Sequence, residues 1–230
     1  VAGSVKCWGQ AYSGELGDGT DGTRPTPGTV SPTSITDIAV NGYAGCAVRG
    51  AGSVRCWGTN AQGLLGDGTT SDSVTSVGAT GITDAIQVDL GLFHACEVEA
   101  DGQVRCWGSN AYGELGTGGS SSGTPVLVTG IGGDAVSVAA GSRYSCAARP
   151  SGVKCWGDNS NGQLGDGTKT TRTTPTPVSN ISTAVSEVTT ARFHSCARLG
   201  DGSVRCWGTN NGRLGNGSNS QALTPVTPTG

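Results

Sequence analysis

The sequence is poor in charged residues and in several large side chains. Its 230 residues include no methionine, two phenylalanines and two histidines, and charged side chains make up only 13% of the chain. The formal net charge is −3, so no excess of lysine and arginine is available to neutralise phosphates. We therefore expect no nucleic acid among the partners.

Long hydrophobic runs are also missing. No stretch approaches the roughly 20 apolar residues that a membrane-spanning helix needs, and the amino end has no signal-peptide pattern. We therefore predict no membrane insertion. The chain starts at Val1 without a methionine, which favours either a processed mature protein or a piece of a larger one.

Glycine, by contrast, is abundant, and the sequence repeats. The chain has 41 glycines and 9 prolines, a composition that is typical of short strands joined by turns. A period of about 50 residues excludes simple low complexity, because cysteine, tryptophan and valine recur at fixed offsets. The repeat is marked by five copies of Cys-Trp-Gly, which begin at Cys7, Cys56, Cys106, Cys155 and Cys206.

Each repeat predicts a small antiparallel sheet. In the third unit, residues 84–90, 94–99 and 103–107 form short Val- or Cys-rich segments between glycine-bearing turns. A preceding Thr-Pro-Val segment, as at Thr124-Pro125-Val126, is expected to supply a fourth strand. Four antiparallel strands repeated around an axis form a propeller blade. The predicted fold is therefore an all-β propeller of about five repeats with one blade incomplete, in units of about 1–9 (partial), 10–58, 59–108, 109–157, 158–208 and 209–230 (partial).

The cysteines predict disulfides across hairpins. Folding at Gly50 to Gly52 sets Val48 opposite Val54 and brings Cys46 opposite Cys56, within bonding distance. Reduced core cysteines and a zinc site are the alternatives, but zinc needs closer ligand pairs. The partner expected for Cys7 lies before Val1, so Cys7 is predicted to be unpaired. The predicted bridges are Cys46–Cys56, Cys96–Cys106, Cys146–Cys155 and Cys196–Cys206.

A second motif, Gly-x-Leu-Gly followed by Asp-Gly-Thr in three copies, runs between blades. Its leucine is predicted to fill the gap between neighbouring blades, and its glycines permit turns with positive φ. An Asp-Gly-Thr turn also offers oxygen ligands to calcium. Each turn carries a single carboxylate, however, and the third and fifth copies have Thr117 and Asn216 in place of aspartate. We therefore predict structural turns and no metal site.

The pattern Val-x-Cys-Trp-Gly-x-Asn-x-x-Gly-x-Leu-Gly-Asp-Gly-Thr, together with the Phe-His-Ser-Cys-Ala of Phe193 to Ala197, resembles the regulator of chromosome condensation repeat family. The resemblance covers essentially the whole chain and implies a propeller, usually of seven blades, with function in the loops at its two ends. Seven blades would need about 350 residues at this period, so we expect a fragment, a smaller ring or an open array. The cysteine-bearing version is similar to bacterial extracellular repeat proteins.

No catalytic motif is present. A nucleophile elbow, a phosphate loop, a dinucleotide fingerprint and a zinc-protease helix are all missing, so we predict no enzyme and no cofactor. The predicted function is an extracellular or cell-surface binding module for a protein or glycan. Aromatic and arginine side chains before the second cysteine series are the expected anchors, with packing in the central channel as the alternative: Tyr43, Phe93, His94, Arg143, Tyr144, Phe193 and His194.

Two other functions remain open from the sequence. Copies of the chain could join end to end into a filament or sheath, because an incomplete blade and an unpaired Cys7 leave a strand edge that invites strand addition. Alternatively, the chain is a non-catalytic part of a larger enzyme. The oxidising compartment that disulfides require favours an extracellular location in each case.

Overall fold

The structure, a computed structural model, describes residues 3–229. It contains eighteen strands and one short 3₁₀ turn, Ala61–Gly63. The strands are β1 (Ser4–Gly9), β2 (Arg24–Thr33), β3 (Ile35–Val40), β4 (Ala44–Arg49), β5 (Val54–Gly58), β6 (Ser73–Gly78), β7 (Ala85–Leu90), β8 (His94–Glu99), β9 (Val104–Gly108), β10 (Ser122–Leu127), β11 (Ser137–Ala140), β12 (Tyr144–Arg149), β13 (Gly152–Gly157), β14 (Arg172–Pro177), β15 (Val185–Thr190), β16 (His194–Leu199), β17 (Val204–Gly208) and β18 (Ala222–Val226).

The strands form one two-stranded sheet and four four-stranded sheets. We number them in chain order: the first sheet is β1–β2, the second β3–β6, the third β7–β10, the fourth β11–β14 and the fifth β15–β18. Within each, neighbouring strands are antiparallel and consecutive in sequence. The first strands of the four-stranded sheets contact one another, β3 with β7, β7 with β11 and β11 with β15. This is the arrangement of blades about a common axis, with the first sheet an incomplete blade.

The hairpin between the second and third strands has the predicted register. Val48 lies opposite Val54 and Cys46 opposite Cys56, and the turn glycine Gly52 has a φ of +78°. A residue with a Cβ would be strained in that left-handed conformation and would also collide with the backbone of Asp84. In the fourth sheet the hairpin closes with two residues, Pro150 and Ser151. This shortening keeps its cysteines opposed, as predicted.

The structure forms all four predicted disulfides. Each joins the second and third strands of one blade, with the two Cα atoms 4.0 to 4.1 Å apart. The remaining cysteine, Cys7, is free and half-buried on β1. Burial and the nearby carboxylate of Asp18 raise the pKa of its thiol above the ordinary value.

The prediction for the fourth strand was wrong in one respect. Thr124-Pro125-Val126 lies in β10, and β10 pairs with β9, the strand that precedes it in sequence. The Thr-Pro-Val segments therefore close the preceding blade, and each of the four complete predicted units holds the last strand of one blade and the first three of the next. The physical reason is that the third strand has a free edge, to which the chain returns after the Gly-x-Leu-Gly loop.

The cores lie between blades. Val98 and Cys106 of the third sheet share one buried cluster with Trp156 of the fourth, and Leu115 of the intervening Gly-x-Leu-Gly loop completes it. The corresponding leucines of the other loops are also buried, as predicted: Leu16, Leu65, Leu164 and Leu214. In this packing, small cystine and valine side chains are covered by one large tryptophan from the next blade.

Candidate protein-binding surface

One end of the propeller gathers most of the predicted binding residues. It is formed by the turns between first and second strands, residues 41–43, 91–93, 141–143 and 191–193, and by the loops that follow each Cys-Trp-Gly. We call it the loop face. Each turn is tied to the adjacent loop, as where Thr59 N donates to Tyr43 O and Ser109 N to Phe93 O. This backbone bonding gives the loop face a defined shape.

The second and third blades meet on the loop face through an aromatic pair. The rings of Tyr43 and Phe93 stack with centroids 6.0 Å apart and planes 20° from parallel. Asn41 fixes the turn beneath them, because its Oδ1 accepts hydrogen bonds from Tyr43 N and Ala44 N and its Nδ2 donates to Gly91 O in the next blade. Tyr43 keeps 44% of its surface exposed, so its ring is both held in place and accessible.

Two arginines of the loop face lie over aromatic rings. The Arg143 guanidinium lies 4.6 Å from the centroid of Tyr112, and its Nη1 donates to the Tyr112 hydroxyl at 2.8 Å. The Arg192 guanidinium lies 5.0 Å from the centroid of Phe193. Both arginines are exposed. Such stacking holds an arginine while leaving its outer N–H groups free for a partner.

Two acidic side chains near Arg143 are withdrawn from solvent. Glu114 is 2% exposed, and its carboxylate accepts from Tyr112 N at 2.7 Å. Burial raises the pKa of Glu114 above the ordinary value. Asp158 is also buried, and its carboxylate accepts from Ser160 N and the Gln163 amide. The two acids beside Arg143 are therefore buried and accept hydrogen bonds within their own loops.

Two of the predicted binding residues support the surface from below. His94 is 1% exposed, and its Nε2 lies 2.9 Å from Ser145 Oγ in the next blade. The Ser145 hydroxyl donates to Glu114 O, so His94 Nε2 carries the hydrogen in this contact. Burial lowers the pKa of His94 to about 4, which keeps the ring neutral.

Tyr144 occupies the same position in the fourth blade and is fully buried. Its hydroxyl donates to His194 O at 2.7 Å and lies 3.0 Å from Ser195 Oγ. Burial raises the pKa of Tyr144 above its ordinary value. Both side chains therefore join neighbouring blades and do not reach a partner directly. His194 is half-buried, and burial and Arg213 lower the pKa of its ring.

A shallow funnel of about 480 Å³ opens at the centre of the loop face. Its wall includes the side chains of Tyr43, Leu92, Ser142, Thr190 and Arg192, one or two from each of the four complete blades. Tyr43 of the aromatic pair and Arg192 therefore line the same funnel. It has the size of a site for one inserted side chain or loop of a partner.

Sequence reasoning missed Asn41, Tyr112 and Arg192. Arg192 stands directly before the predicted Phe193, and Tyr112 lies in the Asn-x-x-Gly segment after Cys-Trp-Gly. In the first repeat Ser13 stands at the offset of Tyr112, and Tyr12 is one position earlier, so no recurring aromatic residue signalled Tyr112. Its proximity to Arg143 follows only from the fold, because the two residues belong to different blades.

The Asp-Gly-Thr turns are satisfied internally. In the second repeat, Asp67 Oδ1 accepts from Thr69 N and Oγ1 and from Asn60 Nδ2. Asp166 makes the same three contacts with Thr168 and Asn159. These bonds lower the pKa of Asp166 below its ordinary value, although burial opposes them. Within residues 3–229, no cluster of three or more His, Cys, Asp or Glu side chains could hold a metal ion.

Helices add little to this structure. In the part of the chain that is described, no helix is long and apolar enough to span a membrane.

Similarity to solved structures supports the propeller. The chain superimposes on yeast RCC1 (Prp20) bound to Kap60 with a TM-score of 0.83 and 19% identity, over 99% of this chain and 57% of that one. A structure of Prp20p from Saccharomyces cerevisiae, described with its binding to Gsp1p and histones, gives 0.83 and 19%, over 99% and 59%. Human WBSCR16 gives 0.81 and 20%, over 95% and 60%. The chain thus spans about three fifths of their length.

Family models give the same result. One model described as Regulator of chromosome condensation (RCC1) repeat matches residues 101–148 and 153–198. A second model with that description matches residues 85–114, 135–163 and 186–213. No curated protein matches the chain in sequence. The two models together extend from residue 85 to residue 213, more than half of the sequence, and the chain belongs to the RCC1 repeat family.

Proposed function

We propose that this chain is a non-catalytic protein-binding module that receives its partner on the loop face. The observation that carries the proposal is the combination of a fixed aromatic pair, Tyr43 and Phe93, with two exposed arginines held over rings. Aromatic and arginine side chains contribute most of the binding free energy in protein interfaces, above all where they are held before the partner arrives. The yeast relatives bind other proteins, Kap60 in one structure and Gsp1p and histones in the other case, which supports a partner of the same kind.

The charges of the loop face favour a partner with carboxylates. Arg143 and Arg192 are exposed there, and the nearby acids Glu114 and Asp158 are buried. An arginine fork matches a carboxylate through two parallel hydrogen bonds. We therefore expect an acidic segment of the partner between the two arginines and an apolar side chain against Tyr43 and Phe93.

The four disulfides support an extracellular or cell-surface location. Bridges of this kind persist in oxidising compartments and are rare where thiols are kept reduced. Each blade also has few large apolar side chains of its own, so a covalent link between its second and third strands stabilises a small core.

The test compares capture of partners by variants of the two ends of the propeller. Wild-type protein, a loop-face variant (Tyr43→Ala, Arg143→Ala, Arg192→Ala) and a matched control (Val204→Ala, Arg205→Ala) are immobilised and exposed to extracellular proteins. We expect the bound proteins that the control retains to be lost from the loop-face variant. Equal retention by both variants would contradict the proposal.

A second function, self-association by strand addition, is favoured by the geometry of the first sheet. Among the described residues β1 pairs with β2 alone, and the groove beside it is lined by Trp8, Leu16, Ile38 and Val40. Trp8 is 61% exposed. A strand donated by another copy would cover this groove. Sedimentation at increasing protein concentration tests this function: association that Trp8→Ser abolishes would support it, and a constant monomer would exclude it.

A further inference from the structure

One contact repeats at three of the four junctions between sheets. A buried valine that lies in, or directly after, the last strand of one sheet shares a cluster with a buried alanine of the next sheet's second strand. The pairs are Val30 with Ala47, Val128 with Ala147, and Val178 with Ala197.

At the junction of the second and third sheets both members of the pair differ. Ala79 takes the place of the valine, as shown by the hydrogen bond from Ala79 N to Val54 O, which matches those from Val128 N to Val104 O and from Val178 N to Val153 O. Glu97 takes the place of the alanine. We call this junction the Glu97 seam. A smaller residue on one side offsets a larger one on the other, so the carboxyl group has been accommodated within a packed interface.

The Glu97 carboxyl has no internal partner. Its side chain is fully buried, and neither carboxyl oxygen has a hydrogen-bond partner. Arg105 lies opposite Glu97 in the strand register, but its Nε donates to Glu99 Oε1 at 2.8 Å. In the other three pairs the methyl group of an alanine occupies the position of the Glu97 side chain.

The surroundings of Glu97 oppose a negative charge. The second sheet contributes the apolar cluster of Val48, Val54 and Ala79. The charged groups with the largest effect on Glu97 belong to the third sheet and its turns: Glu99, Arg105, Asp84 and Asp101. Three of these four are acids, and only Arg105 favours ionisation. Burial first, and then the charge of Glu99, raise the pKa of Glu97 to about 9.

The Glu97 seam lies at the junction that carries the aromatic pair of the loop face. Tyr43 and Phe93 stack across this same junction, and Asn41 donates to Gly91 O across it. Movement of the second sheet relative to the third would therefore separate the aromatic pair and break this hydrogen bond.

We propose that Glu97 is a neutral carboxylic acid that closes the seam between the second and third blades, and that its ionisation opens the seam and the loop face above it. The proton leaves to solvent, and the carboxylate gains the water contacts that the closed seam denies it. The step makes the Tyr43–Phe93 pair sensitive to pH. Its effect on binding rests on the proposed function, but the opening itself does not.

The sign of the pH dependence follows from the raised pKa. The closed seam holds a proton up to about pH 9, whereas an opened, hydrated Glu97 releases it near the ordinary value of 4.5. Closure is therefore favoured most strongly below pH 4.5 and is lost as the pH rises through 9. Between these values the opening equilibrium constant rises about tenfold per pH unit, because opening releases one proton.

The experiment measures amide hydrogen exchange without any partner, so that its outcome is independent of the proposed function. Exchange in β8 is compared with exchange in β12, the equivalent strand of the next blade, from pH 6 to pH 10. All proteins carry Cys7→Ser to prevent thiol exchange at high pH. After correction for intrinsic rates, we expect the β8 to β12 ratio to rise by up to about tenfold per pH unit to pH 9 and then level off.

Two variants control the result. Glu97→Gln keeps the shape without the ionisation, and Ala79→Val with Glu97→Ala restores the pair found at the other junctions. The ratio should be independent of pH in both. If Glu97→Gln does not fold, the double variant still provides the comparison. A flat ratio in the protein with Glu97, or an equal slope in the variants, would overturn the proposal.

Discussion

The first sheet and the four complete blades have the same Cys-Trp-Gly sequence but bury its tryptophan differently. Trp8 is 61% exposed, whereas Trp57, Trp107, Trp156 and Trp207 are fully buried. Each buried indole donates its Nε1 hydrogen to a carbonyl of the preceding Gly-x-Leu-Gly loop, such as Trp107 to Leu64 O at 2.8 Å. No such loop precedes Trp8 among the described residues. The tryptophan of the motif therefore contributes mainly to the contact with the previous repeat, and less to the core of its own sheet.

The glycine of the preceding loop makes this link close. Gly66 and Gly116 have φ values of +73° and +68°. A Cβ atom on these glycines would lie 2.8 and 2.9 Å, respectively, from the tryptophan of the next blade. Gly215, in the last loop, meets no tryptophan. The leucine fills the gap between blades, and the glycine after it lets the tryptophan ring approach. Both recurring residues of the loop therefore contribute to the same contact with the next blade.

Truncating a linked tryptophan should have the largest effect. Trp107→Ala removes a fully buried ring and its hydrogen bond, and should lower the free energy of unfolding by about 3 to 5 kcal/mol. Trp8→Ala should change it by less than about 1 kcal/mol, because most of that ring is already in water. Denaturant unfolding measures both. Equal losses would show that burial of the tryptophan does not depend on the preceding loop.

The disulfides extend the comparison. Replacing Cys96 and Cys106 together by serine should cost roughly 2 to 3 kcal/mol, since the bridge closes a loop of about ten residues. Cys7→Ser should leave stability nearly unchanged because Cys7 is free. Thermal unfolding of the two variants distinguishes them, and a large loss from Cys7→Ser would indicate a partner for that thiol.

Substitution of the asparagine after Cys-Trp-Gly should cause the third-largest loss of free energy of unfolding. Asn159 is fully buried, accepts from Leu164 N and donates to Asp166 and Thr168. Asn159→Ala should destabilise by about 1 to 3 kcal/mol, because several buried polar groups lose a partner. In the first repeat Ala11 stands at this offset and has no side-chain amide, and Gln10 beside it is exposed. Gln10→Ala should therefore have no measurable effect in the same unfolding assay.

The smallest effect is expected on the loop face. Tyr112→Ala removes the ring beneath Arg143 and should cost about 0.5 to 1 kcal/mol. Tyr12, in the loop after the first Cys-Trp-Gly, is 75% exposed, so Tyr12→Ala should be neutral. A double-mutant cycle of Tyr112 with Arg143 isolates the contact, and a coupling of zero would show that the ring does not hold the arginine.

Much of the fold could be predicted because its signals are local. The register of each hairpin follows from the spacing of its cysteines, and even the shorter Cys146–Cys155 hairpin followed from Pro150-Ser151. The sheet to which Thr124-Pro125-Val126 belongs could not be predicted in this way. Its pairing with β9 spans a loop of more than ten residues, and nothing in the local pattern distinguishes the preceding sheet from the following one.

The candidate surface was predicted only in part, because the sequence signals for it are also local. A shared sequence offset placed Tyr43, Phe93 and Phe193 at one end of the propeller, and the structure places them there. The next position along each strand grouped His94 and Tyr144 with them, although Ser145 and Ser195 of the following blades cover those two side chains. Contacts between blades decide exposure, and a single repeat does not contain them.

Site-specific photo-crosslinking tests the proposed binding surface most directly. A photoreactive phenylalanine analogue is placed at Tyr43 on the loop face or at Val204 at the opposite end, both exposed positions, and each protein is irradiated among extracellular proteins. The account predicts a defined crosslinked partner from position 43, competed by unlabelled protein, and none from position 204. Crosslinking from position 204 alone would contradict it.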